Sequence, residues 1–346
     1  MRDKNIPMVE HRKSQLPTVY GDTPSFLGVP VLDLNRLPGG YDVVVAGVPW
    51  EGAVTWGSYS GCELAPRSIR HASARYGGFL PEYGVDLFDH LTVGDVGDIS
   101  VNPTQPRETM AGVLAMARAI YQAGGIPFTL GGDHSFTPEI VQAMTEHRSG
   151  RVGVIHFDAH FDNSKEFGKD PVPRCGPIYR MSRLKGVRPE SIVSIGIRGP
   201  RNSRGQSEIS KEIGASVFDM RQVRRMGMDA VLSEAVRIAG KGTDGFYVTI
   251  CSDCLDAAYN SGGPIDFNGL QPHELFDALF TLGEQGMGGL DYVEVYPLSD
   301  PRSVSSHLAV WAMIHAMAGL AVRKGRLSAA APAARKAKPV PARAKS

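Results

Sequence analysis

The stretch Arg151–Asp162, RVGVIHFDAHFD, constrains the fold of this chain more than any other. Val152, Val154 and Ile155 are β-branched and Gly150 precedes them, the pattern of a buried strand. Asp158, His160 and Asp162 then follow at i, i+2 and i+4. Side chains alternate along an extended chain, so the three are expected to converge just past the strand's carboxyl end. Two carboxylates and an imidazole meeting there suit a divalent metal that takes oxygen and nitrogen donors. The same letters also fit an acidic turn with a capping aspartate, and a lone D-x-H-x-D motif misleads often.

The surrounding chain supplies the context. Tyr41–Pro49, Ile126–Leu130, Ser191–Ile197, Ser216–Asp219, Phe246–Asp253 and Asp291–Val295 read as further strands. Between them Pro66–Tyr76, Glu108–Ala123, Pro138–Glu146, Met228–Ala239, Pro272–Gln285 and Val304–Val322 carry helical spacing or helix-start signals. Strands alternating with helices predict an α/β protein with a mostly parallel sheet, whose sites lie beyond the carboxyl ends of the strands. No fixed-period repeat and no interior linker break the run. The expected organisation is an N-terminal arm over 1–26, one domain over 27–322 and a basic, disordered tail over 323–346.

Charge matters only at that tail. The net charge is +1, but Arg323–Ser346 holds eight Lys or Arg and no acid, which leaves the body at about −7. A solvated tail is the commoner outcome, so no nucleic-acid partner is expected. The apolar run His307–Val322 carries two histidines and is short for a membrane span, so a buried helix is expected and no membrane. The polar opening and four cysteines (Cys62, Cys175, Cys251 and Cys254) lead to an expectation of reduced thiols in the cytoplasm.

Three polar clusters stand at strand ends: Gly131-Gly132-Asp133-His134-Ser135, then Asp158-x-His160-x-Asp162, then VTICSDCLD with Asp253 and Asp256. In this order, together with GVPWEGAVT and APRSIR near the start and DYVEVYP near the end, they resemble the ureohydrolase family of arginases and agmatinases over about residues 25–322. The resemblance implies a three-layer αβα sandwich with an eight-stranded, mostly parallel sheet, and trimers or hexamers. It also implies a dinuclear Mn2+ or Ni2+ site whose bridging hydroxide attacks the carbon of a guanidino-type substrate. By the same resemblance His134 and His160 would be terminal ligands on the two metals and Asp158 would bridge them. Asp162 would complete one metal and Asp253 the other. Glu294 would pair with the substrate guanidinium.

Two positions depart from the family pattern. Where the family's last strand carries a first aspartate that bridges both metals, this chain has Cys251, and Ala257 replaces the proline after Asp256. Where many members have a His-Gly pair that handles protons or substrate, this chain has Cys175-Gly176. A thiolate at Cys251 would be a softer ligand, better matched to zinc or nickel than manganese.

Several residues have plainer readings. Cys251-x-x-Cys254 is expected to be structural rather than redox-active. His156 shares a face with Asp158 and suits either a supporting role or core packing. Asp133 with Ser135 suits a helix cap, and Trp50 and Trp56 suit local loop packing. The functional expectation is a partner subunit with a weakened metal site, assembled with a paralogous ureohydrolase chain. This resembles the two-component guanidine and biguanide (metformin-type) hydrolases. The alternatives are a working agmatinase-like hydrolase with a cysteine-modified site, and a metal-free binding or regulatory protein. Substrate choice is expected to lie in Glu51–Leu64, Asn163–Pro177 and Asn260–Asp266.

Overall fold

The computed structural model describes residues 25–52 and 60–330. Most of the expected N-terminal arm, Trp56 and the tail beyond Ala330 lie outside the described residues. Eight strands form the central sheet: β1 (Val43–Val48), β2 (Val93–Asp98), β3 (Ile126–Gly131), β4 (Val152–Phe157), β5 (Val187–Ile197), β6 (Ser216–Asp219), β7 (Phe246–Cys251) and β8 (Leu290–Val293). Their order across the sheet is β2-β1-β3-β8-β7-β4-β5-β6, and every ladder in it is parallel. Helices cover both faces, so β1, β4, β7 and β8 are buried at every position and mostly apolar, with His156, Thr249 and Asp291 as buried polar exceptions.

One face is covered by α1 (Ala65–Ser73), α7 (Met228–Ala239), α8 (Pro272–Gln285) and α9 (Val304–Ala330), whose buried side chains join one core cluster with β-strand residues such as Phe128, Ile155 and Val248. The other face is covered by α2 (Pro106–Gln122), α3 (Thr137–His147) and α4 (Pro177–Ser182), which close a second cluster around Val44, Val154 and Tyr247. Of the two further helices, α5 (Arg204–Ile213) precedes β6 and α6 (Met220–Met226) follows it, and Met220 and Val223 of α6 join the first cluster. The αβα sandwich is therefore the one the sequence pattern calls for.

Helix α9 is long and apolar enough to cross a membrane, yet 78% of its most apolar window is buried inside the fold. It packs on α8 at glycines: a Cβ on Gly319 would lie 2.0 Å from the Phe280 carbonyl oxygen, and one on Gly283 2.4 Å from that of Ala316. It is a core helix, and it runs through Arg323–Ala330, past the Val322 boundary expected from the sequence. At the sheet's other edge Arg70 of α1 clamps β2: its Nε and Nη2 bond the two carboxylate oxygens of the buried Asp95 at 2.8 and 2.9 Å. Such a bidentate pair fixes the helix against the strand.

Several elements differ from the expectation. β5 starts at Val187, and β7 ends at Cys251 with a 3-10 turn over Ser252–Cys254, so Asp253 and Cys254 lie past the strand. β4 ends at Phe157, so Asp158, His160 and Asp162 are not in extended alternation; the chain bends there, and Asp162 takes a left-handed φ of 44°. They converge because of that bend and not because of strand periodicity.

Candidate metal centre and substrate pocket

The four adjacent strands at the middle of the sheet, β3, β8, β7 and β4, each end in one part of the site. Past β3 lies His134, past β8 Glu294, at the end of β7 Cys251 and Asp253, and past β4 Asp158. This is the crevice that parallel sheets offer at their carboxyl edge. Gly132 is needed to bring β3's end in: a Cβ there would sit 2.1 Å from the Trp50 carbonyl oxygen and 2.8 Å from that of Val48. Asp133 caps the turn that carries His134, accepting from Ser135 N at 2.9 Å, and its other oxygen accepts from Gly52 N at 2.7 Å. Trp50 is buried and donates from Nε1 to Ser135 Oγ at 3.1 Å, so it braces the turn and does not line the pocket.

Two groupings of candidate ligands share Asp158. His134, Asp158 and Cys251 place donor atoms within 4.8 Å of one another, and so do Asp158, His160 and Asp253. His134 Nδ1 lies 3.3 Å from Asp158 Oδ2 and 3.0 Å from Asp162 Oδ2, which brings Asp162 to the first grouping. His160 Nδ1 lies 3.4 Å from Asp158 Oδ1 and 3.1 Å from Asp253 Oδ2. Asp158 is itself held on both oxygens, by His160 N at 2.6 Å and by His156 Nε2 at 2.9 Å. His156 in turn meets Ser194 Oγ at 3.0 Å, so it orients the shared carboxylate. Asp253 Oδ1 accepts from Ala159 N at 3.0 Å.

The residues fit a metal. His134 Nδ1 is buried and makes no hydrogen bond. Thr249 gives its only hydroxyl proton to Asp291 at 2.6 Å, so at 2.8 Å it accepts from His134 Nε2–H. That assignment aims Nδ1 at the two carboxylates, where a proton or a metal ion must lie between them, the position a ligating histidine takes. Three aspartates, the buried Asp158 and Asp253 and the partly exposed Asp162, in contact with two imidazoles form a strongly negative field. Burial opposes it, yet Asp158 and Asp162 draw the His134 imidazole well above the usual histidine range, a measure of how strongly the spot attracts positive charge. At Cys251, burial first and then Asp158 and Asp253 push the thiol well above its ordinary value.

The pocket in front of this centre has a volume of about 310 Å³ and is lined by His160, Asp162, Cys175, Arg201, Cys251, Asp253 and Tyr296 among others. Cys175 is half-buried on the wall; its carbonyl accepts from Ser164 N at 2.9 Å, which folds the 163–176 loop back over the site. Glu294, with a left-handed φ of 62°, turns its carboxylate inward. There it accepts from His134 N at 3.1 Å and from the Tyr296 hydroxyl at 2.7 Å. Burial lifts Glu294 to about 7 against the opposing charge of Arg174. Asp256 does not join the site, because its oxygens accept from Ala258 N at 2.9 Å and Gly269 N at 3.0 Å. A third grouping, Glu51, Cys62 and Glu63, lies outside the centre, and Glu51 there is committed to Ser60 and Gly61.

Arg174 is the main residue that sequence reasoning missed. Its side chain is 4% exposed and its guanidinium lies among Glu294, Glu51 and Asp133. The one signal available in the sequence was its place beside Cys175 in a loop expected to frame the pocket. Tyr296, Asp266 and the Thr249–Asp291 pair were also missed; Asp266 Oδ2 lies 3.3 Å from His160 Nε2.

A fully parallel αβα sheet with two carboxylate–imidazole groupings sharing one aspartate at its centre defines a ureohydrolase-class protein. Residues 41–319 match the Arginase family, and the chain belongs to that family. It is 30% identical over 317 residues to guanidinopropionase of Pseudomonas aeruginosa, covering 90% of this chain and 97% of that one. It is 30% identical over 270 residues to an agmatinase of Chromobacterium violaceum, covering 77% of this chain and 80% of the relative. Among solved structures, proclavaminate amidino hydrolase of Streptomyces clavuligerus superposes with a TM-score of 0.80 at 26% identity, covering 89% of this chain and all of that one. Trypanosoma cruzi formiminoglutamase, solved with Mn2+, shares the fold at a TM-score of 0.77 and 24% identity, covering 87% of this chain and 100% of that one. Hydrolysis of guanidino compounds is the chemistry of the family.

Proposed function

We propose that this chain is a subunit of a ureohydrolase-type assembly that cleaves a guanidino or biguanide compound, and that it serves there as the partner whose own metal centre is weakened. The observation that carries this reading is the place of Cys251, within 4.8 Å of the donors of His134 and Asp158. A carboxylate at that position offers two oxygens to two ions, whereas a cysteine offers one sulfur. His134, Asp158, Asp162, His160 and Asp253 would hold Mn2+ or Ni2+, with Cys251 favouring the softer ion. Bound there, the metal would acidify water and polarise the amidine carbon's nitrogens. The chain's own contribution is to hold Asp158 through His156, to keep His134 in one tautomer through Thr249, and to present Glu294 to the pocket. Cys175, at the pocket wall, stands where it would face the reacting group but lacks an imidazole's capacity to carry a proton near neutral pH. Four unpaired cysteines are in keeping with a reducing, cytoplasmic setting.

A second reading has its own support: the unbonded, inward-facing Nδ1 of His134 is ready for a metal, as a working hydrolase requires. The two part on a direct measurement. On the partner reading the purified full-length chain holds well under two metals and hydrolyses guanidino compounds weakly, and it forms a stable hetero-oligomer when co-expressed with an intact ureohydrolase paralogue. Two tightly held metals and strong hydrolysis by the isolated chain would reject it in favour of the second reading.

A further inference from the structure

Arg174 lies where a guanidino ligand would meet Glu294. Its Nη1 is 3.5 Å from Glu294 Oε2, and its Nη2 is 3.4 Å from Glu51 Oε1, 3.5 Å from Asp133 Oδ2 and 3.4 Å from the Gly52 carbonyl oxygen. All three carboxylates are buried or nearly so. The contacts are long for charge-assisted bonds, which usually fall at about 2.7–2.9 Å. Arg174 Nε is buried and has no hydrogen-bond partner. The group is thus confined by the field of three acids rather than locked by short bonds. The loop delivers it by design of its backbone: Gly176 N bonds the Pro173 carbonyl at 3.0 Å, and a Cβ on Gly176 would lie 2.8 Å from the Ser164 carbonyl oxygen.

We propose that Arg174 is a resident guanidinium that fills this chain's own cation subsite, and so sets its specificity by refusing guanidinium ligands at Glu294. A free guanidinium has the planar shape and charge that the three acids already accept from Arg174, so the two compete for one space. An alternative role as receptor for a ligand carboxylate is disfavoured by the same geometry. Three acids already surround the one cation, and a fourth would enter a net negative field.

The proposal rests on the guanidino-type reading of the pocket but not on metal content or partner binding. The test therefore reads binding alone. Full-length wild type, Arg174→Ala and Arg174→Met are titrated with guanidinium chloride at millimolar concentration. Sodium chloride and urea, the neutral planar analogue, serve as controls, and the readouts are thermal midpoint and calorimetry. Arg174→Met keeps an aliphatic stem in case Arg174→Ala does not fold. The expected result is a saturable rise in midpoint for the variants with guanidinium only, with affinity at least about tenfold above wild type. Loss of that gain in Arg174→Met with Glu294→Gln is expected as well. Variants that bind guanidinium no better than wild type would overturn the proposal. So would a wild type that binds propionate while Arg174→Met does not, since that makes Arg174 an anion receptor. Neither result bears on whether the chain pairs with a paralogue.

Discussion

Replacing Arg174 with methionine leaves three carboxylates without their cation. The Arg174 side chain is 4% exposed, and those of Glu51, Asp133 and Glu294 are 6%, 0% and 6% exposed, so water reaches the cluster poorly. Removing one partner of a buried ion pair costs about 3–5 kcal/mol. For 346 residues the unfolding entropy is about 0.7 kcal/mol/K, so the midpoint should fall by about 4–7 °C at pH 8. The loss depends on pH through Glu294. Its folded pKa, raised by burial to about 7, lies above its unfolded value, so its contribution to stability is present below the unfolded pKa and drains away as pH rises through 7. Arg174 is the charge that holds that value down. Without it Glu294 rises further, and a proton taken up at pH 6 relieves the cluster. The destabilisation should therefore be larger at pH 8 than at pH 6, by on the order of 1 kcal/mol. Thermal scans and urea melts at the two pH values measure it, urea being chosen because guanidinium is itself a candidate ligand. A variant as stable as wild type at pH 8, or a loss identical at both pH values, would refute the reasoning.

Three further outcomes are expected. Cys251→Asp should raise bound metal toward two per chain by elemental analysis, and adding Cys175→His should not by itself give full turnover while Arg174 remains in place; a triple variant with Arg174→Ala tests that order. His156→Ala, made in the Cys251→Asp background, frees one oxygen of Asp158 and should weaken metal binding about 10–100-fold in a chelator competition. Gly132→Ala should destabilise the fold by about 1–3 kcal/mol or more, read by urea melts, because its Cβ would have to share space with the Trp50 and Val48 carbonyls.

The strands of the sheet centre were legible because full burial writes an uninterrupted apolar run, as in VVVAGV and FYVTIC. β2 was not: VGDVGD carries two glycines and two aspartates and reads as a turn, and it becomes a strand only through its ladder with β1 and the hold of Arg70 on Asp95. Helix α5 hides for the opposite reason, since among its residues only Ser210 is buried and its apolar side is just Ile209 and Ile213; its capping box, Ser203 with Gln206, was the available sign. The spacing of Asp158, His160 and Asp162 pointed to the right site through the wrong geometry, because nothing local in the sequence announces a left-handed Asp162. Arg174 reaches Glu294 and Glu51 across 120 and 123 residues of chain, a relation that no short pattern encodes.

Because the donors stand on turns rooted at the ends of four neighbouring strands, the layout around Asp158 is set chiefly by the sheet beneath it. A sheet of this kind behaves as a rack of independent pegs: swapping the peg at Cys251 changes what can hang there without warping the frame. Chemistry and outline can then drift apart: a substitution at one peg can alter what the centre binds while the outer contours stay as they were.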